Sequence, residues 1–245
     1  MFSNMFQHRK YEALAPEGVR IYAIGDIHGR PDLLDALMTK IEQDEKDAGP
    51  GQLIFLGDYV DRGPDSRGVV DRLLKIKASR PESVFLKGNH EAAMLGFLDA
   101  PNDLEDWLYW GGAETLESYG VETPLKRSAE DLAAALSENL PARHLSFLRA
   151  LNLHKIMGDY LFVHAGVRPG VALDEQSEDD LLWIRGDFHR AAAKERPAQV
   201  VVHGHHPEKK PVDEGWRIGV DTGAVWTGRL TAAVLEDATR RFLST

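Results

Sequence analysis

The sequence predicts an α/β fold in which two mixed β-sheets pack face to face and are flanked by helices, with a helical insertion at about 103–151. Strand, loop and helix follow one another three times before residue 100. Short apolar runs separated by tight turns fill the last third, and the stretch between has helical periodicity. Parallel strands early and hairpins late favour two packed sheets over one purely parallel sheet.

The first unit begins with Val19 to Ile24, an apolar, β-branched run that ends in Gly25-Asp26. Pro31 then opens a helix whose apolar side carries Leu33, Leu34, Leu37, Met38 and Ile41. The second unit is a strand over Gln52 to Leu56, a polar loop, and a helix near Arg67 to Ala78. The third runs from Ser83 to Leu86 through Gly88 into a helix from about Glu91. Helical crossovers of this kind make the strands parallel and gather functional groups in the loops at their C-terminal ends. From Leu104 to Leu151 the spacing of Trp107, Leu108, Trp110, Leu116, Leu132, Leu136 and Leu148 is helical; its aromatic residues could line a substrate groove, but packed core is the preferred reading. Strands return at Asn152 to Ile156, Tyr160 to Val163, Gln199 to His203, Arg217 to Val220 and Leu230 to Leu235, with turns such as Met157-Gly158-Asp159 implying antiparallel hairpins.

The 245 residues suit a single domain, 1–245, with an ordinary soluble composition of 43% hydrophobic and 28% charged residues. No apolar run is long enough to span a bilayer, and Met1 to Lys10 does not read as a secretory signal, so a cytoplasmic location is expected. A net charge of -10 argues against general nucleic-acid binding, which depends on clustered Lys and Arg. The absence of cysteine excludes disulfides, thiolate metal sites and a cysteine nucleophile, leaving oxygen and imidazole as metal ligands. The acidic stretch from Asp174 to Asp180 reads as solvated loop or helix start. His8, His144, His154 and His189 fall outside any motif, while His203 and His206 flank His205 on extended chain and are given no ligand role.

Five strand ends carry the chemistry: Asp26 and His28 in GDIHG, Asp58 and Asp61 in GDYVDRG, Asn89 and His90 in GNHE, His164 in HAG, and His205 in HGHHP. One Asp or His at such a place is usually a turn or cap residue. Five together, each with glycine, are a different matter, because carboxylates converging on one rim repel unless cations neutralise them. Carboxylate, imidazole and amide oxygen suit Mn²⁺, Zn²⁺ or Fe²⁺, and a pair of such ions about 3.5–4 Å apart can clamp a phosphate and its attacking water.

In order and wording these motifs resemble those of the PPP-type serine/threonine phosphatases within the calcineurin-like metallophosphoesterases, over residues 25–205. WGGAETLESYG at 110–120 and LLWIRGDF at 181–188 are similar to segments of bacterial and phage-like members. The resemblance implies two divalent ions, Mn²⁺ foremost and Zn²⁺, Fe²⁺ or Mg²⁺ as alternatives. Asp26, His28 and Asp58 would hold one, and Asp58, Asn89, His164 and His205 the other. It makes His90 the general acid, Asp61 its orienting carboxylate, and Arg62 and Arg185, with Asn89 and His90, the phosphate-binding groups. The implied reaction is direct attack by a hydroxide bridging the ions. Phosphoserine and phosphothreonine in proteins are the expected substrates, other small phosphoesters being possible. Diadenosine tetraphosphate hydrolysis, or another nucleotide phosphatase or phosphodiesterase activity, is the alternative; the first is held back because those hydrolases typically carry Gln where His28 stands and depart from the VDRG pattern. A catalytically silent binding module would lack ligands that are present here. The segment Asp221-Thr222-Gly223-Ala224 lacks the longer tyrosine-containing loop of eukaryotic members, so their specificity does not transfer.

Overall fold

The computed structural model describes residues 13–46, 49–103, 105–123 and 127–245. Met1 to Lys10, His8 and Leu104, at the start of the helical insertion, lie outside them. The first three units are as expected: β1 (Ile21–Ile24), α1 (Pro31–Asp44), β2 (Gln52–Phe55), α2 (Ser66–Ser79), β3 (Val84–Phe85) and α3 (Asn89–Asp99). Pro31 starts α1, where its missing N–H costs nothing, and Asp65 caps α2 by accepting from Gly68 N at 2.7 Å. The third helix starts two residues before the expected Glu91, which places Asn89 and His90 in its first turn.

The helical stretch consists of a 3₁₀ turn at Glu105–Trp110, α4 (Gly112–Ser118), α5 (Ala129–Asn139) and α6 (Ala142–Arg149). There follow β4 (His154–Met157), β5 (Tyr160–Val163), α7 (Glu178–Trp183), α8 (Gly186–His189), β6 (Val200–His203), β7 (Val212–Asp213), β8 (Arg217–Gly219), α9 (Ala224–Thr227), β9 (Thr231–Glu236) and β10 (Thr239–Ser244). The acidic stretch is a 3₁₀ turn and the start of α7, capped by Ser177.

One sheet has the order β10-β9-β1-β2-β3 and the other β4-β5-β6-β8-β7. The turn at Gly158 makes the expected β4–β5 hairpin, but the late strands are not simply antiparallel: β5, β6 and β8 run parallel to one another. The helices α7 and α8 lie between β5 and β6 and allow the crossover that a tight turn cannot make.

Alternation along β1 shows the layering. Tyr22 and Ile24 join the cluster that includes Leu34, Leu37 and Val70 of α1 and α2, while Ile21 and Ala23 face Tyr160, Phe162, Val202 and Ile218 of the second sheet. The far side of the second sheet, through Leu161, Val163 and Val201, packs on Leu181 and Phe188 of α7 and α8. The result is four layers, helix, sheet, sheet, helix, with all four side chains of β1 buried. Burial of each larger apolar side chain contributes roughly 1.5–3 kcal/mol. The parallel trios β1-β2-β3 and β5-β6-β8 end at one edge of the molecule, where the two sheets meet: a Cβ on Gly25 would lie 2.6 Å from Val220 O. No helix among the described residues is long and apolar enough to cross a membrane.

Candidate active site

Every strand-end residue singled out in the sequence lies at this edge, and Asp26, His28, Asp58, Asp61, Asn89, His90, His164 and His205 are all at most 5% exposed. Asp26 follows β1, Asp58 and Asp61 follow β2, and Asn89 and His90 open α3 after β3. His164 follows β5, and His205 follows β6. Six non-glycine residues among those described have positive φ, and five of them are His28, Asp58, Asp61, Arg62 and His205. Such backbone costs on the order of 1–3 kcal/mol per residue and persists where the surroundings enforce it. Here it turns successive side chains of sharp loops into one chamber. The approach is close enough to require glycine, because a Cβ on Gly88 would fall on Asp58 Oδ1 and one on Gly204 on Asp26 Oδ1.

Two groups of side chains have ligand atoms within 4.8 Å of one another: His28, Asp58 and His90, and Asp58, His164 and His205. Asp58 belongs to both. Its Oδ2 lies 3.5 Å from His28 Nε2 and its Oδ1 3.4 Å from His164 Nε2. Asn89 Oδ1 stands 2.9 Å from both His164 Nε2 and His205 Nδ1. Asp26 belongs to neither group; its two oxygens accept from His205 N at 3.0 and 3.2 Å.

The tautomers follow from the backbone. His28 Nδ1–H donates to Val60 O and His164 Nδ1–H to Leu56 O, each at 2.9 Å, which leaves each Nε2 with a lone pair directed into the chamber. Burial keeps these rings neutral, holding His28 at about 3 and His205 at about 2, and it also lowers His164. The lone pair of His164 therefore faces the amide oxygen of Asn89, two acceptors at hydrogen-bond distance. A divalent cation satisfies both, and neutral imidazole, carboxylate and amide oxygen are a donor set for first-row ions. Burial would raise the Asp58 carboxyl, but His164, His90, His28 and His205 around it outweigh burial and hold it below its ordinary value. Asp26 is driven well above the carboxylate range by burial and by the charges of Asp221 and Asp58. Such crowding is what bound cations relieve. The residues fit divalent metal ions.

His90 differs from the other imidazoles. Its Nδ1 lies 2.7 Å from Asp61 Oδ2, so Nε2 is left facing the chamber, 3.9 Å from Asp58 Oδ2. Burial alone would lower it, yet Asp58 and Asp61 raise it above its usual value. Asp61 is in turn fixed by groups the sequence reading missed. Trp107 Nε1–H donates to its Oδ2 and Thr115 Oγ1–H to its Oδ1, both at 2.7 Å, and its own N–H donates to Ser66 Oγ and Thr115 Oγ1 at 2.9 Å. Thr115 lies inside the WGGAETLESYG segment.

Glu91 was also missed, although it ends GNHE. It is fully buried and accepts from the backbone N–H of Asp58, Tyr59, Val60 and Gly88, tying the loop after β2 to the start of α3. Burial and Asp58 push its carboxyl up to about 7. Asp221, after β8, was missed as well, and burial raises it to about 6. Its signal was partial: Asp221 ends an apolar strand as Asp26 and Asp58 do, but without the Gly that directly precedes them.

Arg62 Nη1 donates to His28 Nε2 at 2.8 Å and Arg185 Nε to His205 Nε2 at 3.1 Å, so both guanidiniums reach the chamber. His203 is buried beside Arg217, whose Nη1 lies 3.3 Å from its Nε2, and His206 is partly exposed, 3.7 Å from Glu208. Asp58, Asn89, His205, both arginines and Trp226 line an inner chamber of about 110 Å³. It shares Arg62, Asn89, Arg185 and Trp226 with a larger cavity of about 660 Å³.

A family profile described as calcineurin-like phosphoesterase matches residues 19–230. The chain is 27% identical over 228 residues to the asymmetrical bis(5'-nucleosyl)-tetraphosphatase PrpE of Bacillus thuringiensis (strain Al Hakam), covering 85% of this chain and 87% of that protein. To the protein of the same name from Oceanobacillus iheyensis it is 25% identical over 87% of its own length and 88% of the relative's. Among solved structures, a candidate diadenosine tetraphosphatase superposes with a TM-score of 0.65 at 24% identity, over 94% of this chain and 96% of that one. The buried Asp, His and Asn cluster and the family match lead to one conclusion: the chain belongs to the calcineurin-like phosphoesterase family and is a metallophosphoesterase.

Proposed function

We propose that the chain hydrolyses dinucleoside tetraphosphates, cutting off centre, with two divalent ions, Mn²⁺ foremost, held in the strand-end chamber. The observation that carries this reading is likeness along nearly the whole chain to proteins named as asymmetrical tetraphosphatases. It reverses the order expected from the motifs, in which phosphoserine and phosphothreonine came first. Those relatives outweigh the argument from His28 and VDRG, because loop residues at the ions act on the phosphate and say little about what it is attached to.

Asp26, His28 and Asp58 would hold one ion and Asp58, Asn89, His164 and His205 the other. When bound, such ions act as Lewis acids that polarise a phosphoryl oxygen and acidify water. Arg62 and Arg185 orient the phosphate through paired N–H donors and stabilise the charge that builds on it during in-line displacement. The oxygen of water joins phosphorus, giving up to solvent a proton that later restores His90, and the bridging P–O bond to the leaving group breaks. His90 hands the proton on Nε2 to the departing oxygen, while Nδ1–H stays on Asp61, whose own position is locked by Trp107 and Thr115.

A direct comparison of kcat/KM for diadenosine tetraphosphate and a phosphoserine peptide in one Mn²⁺ buffer tests the reading. A preference for the dinucleotide of tenfold or more is expected. The reverse preference would return the chain to the phosphoprotein class.

A further inference from the structure

Six large hydrophobic side chains among the described residues are exposed, and four of them, Tyr109, Trp110, Trp183 and Trp226, line the 660 Å³ cavity above the chamber. They come from three separate segments: the 3₁₀ turn before α4, the end of α7, and α9. None is needed to fill the core, which Trp107, three residues before Trp110, does instead. Exposed indoles gathered at one opening leave apolar surface in water, which is unfavourable unless a ligand covers it.

The rim is continuous with the phosphate-binding groups. Arg62 Cζ lies 5.3 Å from the Trp226 ring centre, and the Trp183 ring is 6.3 Å from that of His205. Trp226 borders both cavities, so a ring lying on it is connected to the chamber without leaving the groove. Trp110 and Trp183 meet edge to face at 5.5 Å, in contact with one another, so a planar group lies on their outer faces and not between them. The ligand this arrangement fits carries a flat, polarisable ring a short distance from anionic phosphate. Base on indole supplies sequence-tolerant stacking energy, and a neighbouring Arg strengthens it. We infer that Trp226, Trp183 and Trp110 form a nucleobase-stacking rim that selects nucleotide-bearing phosphate chains over base-free phosphoesters. This rests on the tetraphosphate reading above and assigns its specificity to named side chains.

The test uses the Mn²⁺-loaded full chain with Trp226→Ala, Trp183→Ala and the conservative Trp226→Phe. Trp226 is 64% exposed, so its truncation leaves the core intact. The readout is the ratio of kcat/KM for diadenosine tetraphosphate to that for glycerol 2-phosphate. Losing one stacked base should lower this ratio roughly 5–150-fold in each Ala variant, with most of it restored by Phe. A ratio equal to that of the unaltered protein would overturn the rim, as would a loss seen with a phosphopeptide and not with the dinucleotide. Calorimetric binding of AMP against inorganic phosphate separates the two readings. If the unaltered protein does not cleave the dinucleotide but binds AMP more tightly than Trp226→Ala does, the rim stands and the tetraphosphate reading falls. Equal AMP affinities in the two proteins would sink the rim.

Discussion

The two ends of strand β1 handle carboxylate charge in opposite ways. At its start, Arg20 makes paired bonds to Glu236 at 2.8 and 3.0 Å, and Asp44 accepts from Tyr22 Oη at 2.7 Å and Arg241 Nη2 at 2.5 Å. Burial works against the Asp44 carboxylate, but Arg241 and Tyr22 prevail and hold it below its ordinary value. At the other end, Asp26, Asp58 and Asp221 crowd together with neutral imidazoles, and Asp26 and Asp221 are pushed up. At the first end each carboxylate has its own arginine, whereas at the second the carboxylates outweigh the arginines beside them. The difference locates function: at the first end arginines offset the carboxylates, whereas in the chamber Asp26 and Asp221 stay raised although Arg62 acts on both, a surplus of negative charge that suits cations.

The largest effect that would sharpen this contrast is at His90. His90→Asn should slow turnover of an alkyl phosphate about 10²–10⁴-fold, since an alkoxide leaves poorly without a proton. On diadenosine tetraphosphate the loss should be smaller, because a departing phosphate, with a pKa near 6, needs little help. Equal losses in steady-state kinetics on both substrates would argue against proton donation by His90. Next is Asp221→Asn in metal-free protein. With a folded value of about 6 against an ordinary 3.8, the folded state binds more protons in that window, so stability falls as pH rises through it. The variant should therefore gain on the order of 1–3 kcal/mol against denaturant at pH 7 and nothing below pH 3.8. An unchanged midpoint at pH 7 would mean that the carboxylates do not crowd. Smallest is Asp44→Asn at the other end, a loss of about 1 kcal/mol or less because the network is partly solvated. Its sign is opposite: the depressed carboxylate stabilises above the ordinary value of 3.8, and the contribution disappears as pH falls through the folded value. The variant should match the parent in acid and fall below it near neutrality in the same titration.

The strand ends were legible because each motif couples an apolar run to Gly and a ligand-type residue, a local pattern. What was not legible depended on distance in the chain. Trp107 and Thr115 reach Asp61 across 46 and 54 residues, and nothing in their neighbourhood separates a tryptophan that locks a carboxylate from one that fills a core. The same ambiguity hid the rim, where Trp107 is core and Trp110 is not. Parallel pairing of β5, β6 and β8 was obscured because the crossover between β5 and β6 contains only short helices of six and four residues, too brief to give a periodic signal. Substrate class was the least legible of all, since Asp, His and Asn at strand ends point to phosphate chemistry and carry no information on the group attached to the phosphate.

The shared position of Asp58 between the two ligand groups can be tested by elemental analysis of Mn²⁺-loaded protein after removal of free metal. The unaltered chain should retain two ions per molecule and Asp58→Asn should lose both, with circular dichroism showing the fold intact. A single ion in the unaltered chain, or two retained in the variant, would contradict a centre built around that carboxylate.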